Sequence, residues 1–268
     1  MNLERRCLGF LLLLPASIPA QTNHVDKAEV AAMRGKYYSL PLKGFESMEC
    51  PVTFDMSTVP MLPTATDDPL RKIVAETRFS VRLTSRGDVA VDHQPPANAD
   101  AAVVKQAEAV VNIMTSLIQG VFMTWMSKGL SGPIPPFDTQ VESVKKLQDG
   151  YALSLDVPGK PVEVSLDPQY VATRITSLDG KVDEHPSYSM SPDGLILTGN
   201  EAVDSTQAGA PVHVRYEIGS AVVDGLRVPN TVHLVVAPNL DVRYELAGCS
   251  VKKGTVLEVS PPATPSKP

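Results

Sequence analysis

Apolar residues recur along the chain with two periods. One is close to 3.6 residues and confined to a single long segment; the other is two residues and fills most of the rest. The long segment, ADAAVVKQAEAVVNIMTSLIQGVFMTWMSKGL at 99–130, repeats Val103, Ala107, Val110, Met114, Leu117, Val121 and Trp125 at spacings of three and four. Val104, Val111, Ile118 and Phe122 widen that stripe, and Lys105, Glu108, Asn112, Thr115, Ser116 and Gln119 take the opposite side. No charge falls between Glu108 and Lys128, so the composition suits a membrane span, but the segregated polar face predicts a core-facing amphipathic helix instead. Asn98 or Asp100 is placed to cap its start, and GLSGPIPP ends it.

Upstream, 25–34 reads as a short helix capped by Asn23 or Asp26, and PLRKIVAE at 69–76 as one or two helical turns started by Asp67-Asp68. Met48, Cys50, Val52, Phe54 and Met56 alternate with polar or small residues, a half-buried strand in which Pro51 favours an edge or a bulge. RFSVRLTSRGDVAVD is a hairpin with Phe79, Val81 and Leu83 on one face. After Phe137 the chain reads as an antiparallel meander with turns at PGK, DPQ, SPDG, VDG and APN. The predicted fold class is α+β: a large curved antiparallel sheet or unclosed β-barrel, packed on one long amphipathic helix plus a short N-terminal helix.

The stretch VVDGLRVPNTVHLVV at 222–236 tests this pattern. A three-residue loop, Val223-Asp224-Gly225, sets Tyr216 opposite Val232 and Val214 opposite Leu234, so that the apolar faces of both strands coincide. The following strand adds Leu240, Val242, Tyr244 and Leu246. In that register His213 and His233 emerge on the polar face as diagonal neighbours.

The ends change the picture. Arg5 and Arg6 precede CLGFLLLL, and PASIPA follows, which predicts a signal peptide over 1–20 cut near Ala20. Domain organisation is then a single β-rich domain over 21–253 and a disordered Pro-rich tail over 254–268. Cleavage removes two basic groups and one acidic group, taking the net charge from −6 to −7. An acidic, mixed surface speaks against nucleic acid and allows at most peripheral membrane contact. The expected location is periplasmic or extracellular, in soluble form. There Cys50 and Cys249, the two cysteines left after cleavage, are expected to form a disulfide.

Candidate chemistry is sparse. No histidine has zinc-ligand spacing, no metal or cofactor is implied, and Ser143 with Lys146 matches S-x-x-K without its companion motifs. No catalytic group is nominated, and the expectation is a non-enzyme. The helix face with Val110, Met114, Leu117, Val121, Phe122 and Trp125 should oppose the sheet face with Val214, Tyr216, Leu234, Val242 and Tyr244. Met114, Met123 and Met126 suit a surface that adapts to flexible ligands. Such a layer either forms ordinary core or lines an apolar cavity.

The element order, with D-G-L-x-x-P in the late hairpin at 224–229 and LDVRYELAGCSV after it, resembles the LolA/LolB-like superfamily of periplasmic lipoprotein carriers. The resemblance covers roughly 25–253. It implies an unclosed antiparallel barrel with helices over a cavity for acyl chains. The long internal helix departs from that group's short lid helices, and no functional arginine of the group has a match here. The leading expectation is an exported protein that binds an apolar or acylated ligand, a lipid or a lipoprotein, as carrier or sensor. Two others stand beside it: a structural or protein-interaction module of the envelope, and an exported hydrolase of unrecognised type.

Overall fold

A computed structural model describes residues 26–136, 140–156, 161–206 and 209–254. The expected signal peptide at 1–20 and the expected tail from 255 onward lie outside the described residues. The helices are α1 (Lys27–Arg34), α2 (Pro69–Glu76) and α3 (Ala101–Gly129). The first strands are β1 (Phe45–Phe54), β2 (Arg78–Thr84) and β3 (Val89–Gln94). The meander begins with β4 (Val141–Leu147), β5 (Gly150–Leu155), β6 (Val162–Leu166) and β7 (Ala172–Ser177). It continues through β8 (Val182–Ser191), β9 (Gly194–Asp204) and β10 (Val212–Val223). It ends with β11 (Leu226–Val236), β12 (Leu240–Leu246) and β13 (Ser250–Lys253).

All the strands belong to one open 13-stranded antiparallel sheet, ordered β3-β2-β1-β12-β11-β10-β9-β8-β7-β6-β5-β4, with β13 also on β1. The predicted fold class is therefore the observed one. Each α-helix starts on an aspartate whose carboxylate accepts from two of the first free N–H groups: Asp26 for α1, Asp68 for α2, Asp100 for α3. Of the offered caps, Asp26, Asp68 and Asp100 do the work.

Pro51 does not lie on a sheet edge. It pairs with Ser80 of β2 on one side, and on the other it falls where β1 changes partner, after Glu49 opposite Ser250 of β13 and before Val52 opposite Leu246 of β12. A missing donor costs little at such a break. The chain crosses between those two partners at Gly248, whose φ of 67° suits glycine, and Cys249 then meets Cys50 in the expected disulfide across 199 residues.

The late hairpin corrects the predicted register. Its loop has two residues, Asp224 and Gly225, both left-handed at φ 50° and 76°, and Val223 pairs with Leu226. That is the turn whose twist matches the strands, and Asp-Gly is its preferred pair. Taken alone it would scramble the faces. A bulge that leaves Asn230 of β11 unpaired, between the pairs Gly219–Thr231 and Ser220–Pro229, shifts the register by one, and Tyr216 then faces Leu234 and Val214 faces Val236. The apolar faces coincide as expected, by a different device.

The sheet carries two apolar clusters. The larger lies under α3 and α2 and draws on β1, β2, β9, β10, β11 and β12. The smaller packs Val30 and Met33 of α1, with Tyr37 and Ile134, on β4 to β7. Tyr188 touches both. Helix α3 is long and apolar enough to cross a membrane by length and composition, yet 44% of its most apolar window is buried against the rest of the protein.

Candidate functional site

The inward stripe of α3 runs through Ala107, Val110, Val111, Met114, Ile118, Val121, Phe122, Trp125 and Met126, at spacings of three and four. Ile118, not Leu117, is its centre: Met114, Ile118 and Phe122 are fully buried, while Leu117 is only partly so. Met123, expected to help shape the ligand surface, lies outward and exposed. On the facing sheet Tyr216, Leu234, Val242 and Tyr244 are buried in the same cluster, and Val214 packs at its margin. The eleven residues nominated from the sequence thus meet in one apolar layer between helix and sheet.

That layer is interrupted by polar groups. Lys128, in the last turn of α3, turns inward and forms an ion pair with Glu184 of β8. Asn200 of β9 donates from Nδ2 to Glu184 Oε2 at 3.1 Å. Strand register explains the meeting: Asn200 is directly opposite Tyr216 on one side and Pro186 on the other, and Glu184 and Tyr188 share the face of Pro186. The sequence between Ser187 and Gly199 absorbs one extra residue, Thr198, so that Asn200 follows Leu195 and Leu197 onto the inner face.

The hydroxyls of Tyr188, Tyr216 and Tyr244 and Oδ1 of Asn200 are buried without a hydrogen-bond partner among the described residues; Tyr188 and Tyr216 feel Glu184 directly, and Tyr244 joins them through Tyr216. Tyr37 is a useful contrast. Its hydroxyl donates to the Tyr170 carbonyl and accepts from the Ala172 N–H, both at 2.8 Å. Burial raises all three hydroxyls of the cluster far above the ordinary tyrosine value of 10.0. The negative charge of Glu184 pushes Tyr216 further up and, together with Tyr37 and Tyr216, Tyr188 as well. The three phenols are therefore neutral donor-acceptors at physiological pH, and none is poised as a base or nucleophile.

A cleft of about 540 Å³ opens at the β1–β2–β3 end of the sheet, beside the end of α2. Phe54 and Phe79 line it and also belong to the core. Their rings stand 5.4 Å apart, and Phe54 lies 5.1 Å from Tyr244. An aromatic row thus runs from the cleft to the polar cluster.

The remaining sequence candidates disperse. His213 lies level with Ala237, and His233 is opposite Glu217, so the observed register separates the two histidines that were expected to be diagonal neighbours. His233 instead contacts Asp241 at 2.9 Å. Ser143 and Lys146, three apart on β4, pair with Ser154 and Tyr151 and face opposite sides. Among the described residues no group of three or more His, Cys, Asp or Glu could hold a metal ion.

Lys128, Glu184, Tyr188 and Asn200 escaped the sequence reading. Their signals were faint: Glu184, Pro186 and Tyr188 alternate, and Asn200 closes the apolar run GLILTGN. No protein-family model, curated protein or solved structure matches the chain.

Proposed function

We propose that the protein is exported and binds an apolar or acylated ligand in the layer between the sheet and α3, acting as a carrier or sensor. The observation behind this reading is the cluster of unpartnered polar atoms set within apolar walls. Ligand sites combine mostly apolar linings with a few convergent polar groups that orient the ligand. A buried hydroxyl with no partner is costly, and four such atoms in one place call for a reason other than packing. The cleft with its aromatic row offers a route inward. Export is supported by the charged and apolar opening of the chain and is compatible with the Cys50–Cys249 disulfide. The resemblance to lipoprotein carriers points the same way.

A second reading has its own observation. Met114, Ile118 and Phe122 are fully buried, as in a solid core, which favours an envelope interaction module working through its surface. Native mass spectrometry of gently purified protein separates the two. Co-purified lipid supports the carrier; a bound protein with no lipid supports the module. Trp125, the one tryptophan, sits within the layer and reports binding there directly, so lipid titration that leaves its emission unchanged would sink the carrier reading.

A further inference from the structure

Resting on the carrier reading, we infer that Lys128, Glu184, Asn200, Tyr188, Tyr216 and Tyr244 form a head-group site for an uncharged acyl ester with a free hydroxyl, of the monoacylglycerol kind. Three properties of the cluster select that chemistry.

The first is charge. The cluster holds one cation and one anion, Lys128 and Glu184, already paired with each other. Its other members are neutral. A carboxylate or phosphate head would enter a water-poor place whose positive charge is matched, and would meet Glu184 as a like charge. Such desolvation is not repaid unless a new partner is supplied. A quaternary ammonium head fares no better beside Lys128. The site is balanced for a ligand of zero charge.

The second is the set of open hydrogen-bonding positions. Three phenol O–H groups need acceptors, which an ester carbonyl and ether oxygen provide. Asn200 Oδ1 needs a donor, and its own Nδ2 is already spent on Glu184. A free hydroxyl on the ligand meets that need. A plain hydrocarbon would leave all four atoms unpaired, and a site built to hydrogen-bond discriminates strongly against a ligand that cannot. Head and site are complementary in both directions, with acceptors for the tyrosines and a donor for the amide.

The third is the path for the chain. Tyr244 carries its hydroxyl into the cluster side of the core and its ring onto Phe54, which leads by way of Phe79 to the cleft. An acyl chain anchored at the tyrosines would run along this row toward the opening.

The test is a titration of Trp125 emission in the exported protein with its disulfide intact, after extraction of any bound lipid. The probes are 1-monooleoylglycerol, oleate and 1-octadecene, which share a long chain and differ at the head. We expect saturable binding of 1-monooleoylglycerol about tenfold or more tighter than of the other two, the size of one good hydrogen bond. Tyr216→Phe and Tyr188→Phe should each weaken 1-monooleoylglycerol by about tenfold while leaving the 1-octadecene response unchanged. Oleate binding as tightly as the glyceride, or both tyrosine variants retaining full affinity, overturns the head-group assignment and leaves the carrier reading intact. If none of the three probes moves Trp125, the carrier reading itself fails, and this inference with it.

Discussion

The Tyr216 hydroxyl makes a sharp prediction about stability as well as binding. Tyr216 is 3% exposed, and its hydroxyl has no partner among the described residues. Replacing it with phenylalanine keeps the ring and its contacts with Leu234 and Asn200 across the strands, and removes only the oxygen. An unsatisfied buried polar group costs about 1–3 kcal/mol, against which the lost oxygen leaves a gap smaller than a methyl group. Tyr216→Phe should therefore stabilise the ligand-free protein by about 1 kcal/mol, or about 2–4 °C in Tm for a domain of this size. The measurement is urea unfolding of lipid-extracted protein with the disulfide closed, followed by Trp125 emission. A variant that is more stable when empty but binds its ligand less well is the mark of a residue kept for function. A loss of more than about 1 kcal/mol would refute the reasoning, because it would mean the hydroxyl is well bonded in the free protein, for example to an ordered water.

The helix stripe gives a paired forecast: Ile118→Ala should cost about 2–5 kcal/mol and Leu117→Ala markedly less, by urea midpoint, and equal losses would contradict the placement of Ile118 at the centre. Non-reducing peptide mapping should find Cys50 joined to Cys249, and Cys50→Ser should lose on the order of 5 kcal/mol in the chain-entropy account of so long a loop; alkylation of both thiols in protein purified without reductant would rule the link out. Tyr37, Tyr188, Tyr216 and Tyr244 are all raised above the ordinary value of 10.0, chiefly by burial, so above that pH the unfolded chain gives up protons that the folded one keeps. Stability should hold below about pH 10 and fall as pH rises beyond it, with four of the seven tyrosines silent in absorbance titration until the chain unfolds; early titration of all seven would refute this.

The elements were legible where one period dominates. The stripe of α3 and the alternation of β1 are local signals, and each helix start is marked by an aspartate close before the apolar residues, so the helices and the open antiparallel sheet could be read from residue types alone. The register of the late hairpin was not, because counting partners outward from the turn assumes an unbroken ladder. Asp224-Gly225 and the parity of Tyr216 with Leu234 cannot both be satisfied by a regular ladder, and a three-residue loop is the simplest local way to reconcile them. The protein resolves it five residues from the turn, beside Gly219, where a Cβ would come within 2.2 Å of Thr231 Oγ1. A glycine with no turn to make, beside a serine that faces Pro229 on the partner strand, was the clue to that bulge.

The polar cluster was hidden for a different physical reason. Its members come from α3, β8, β9, β10 and β12, and each looks ordinary in its own segment: Lys128 as a C-terminal charge on a helix, Glu184 as a strand's polar face, Asn200 as a turn-former. Only strand order brings β8, β9 and β10 side by side, and only the extra residue at Thr198 turns Asn200 inward. Tyr216 and Tyr244 could be nominated because their rings obey the apolar alternation, which says nothing of their hydroxyls. Periodicity sees a tyrosine as a large apolar residue, whereas the burial of its oxygen depends on what stands above it. Here that is a helix whose inward face ends in a lysine already matched to a glutamate, so the phenols receive no partner among the described residues. Packing needs alone would be met by phenylalanine at all three positions, and it is the phenol oxygens, not the rings, that the Tyr→Phe variants put to the test.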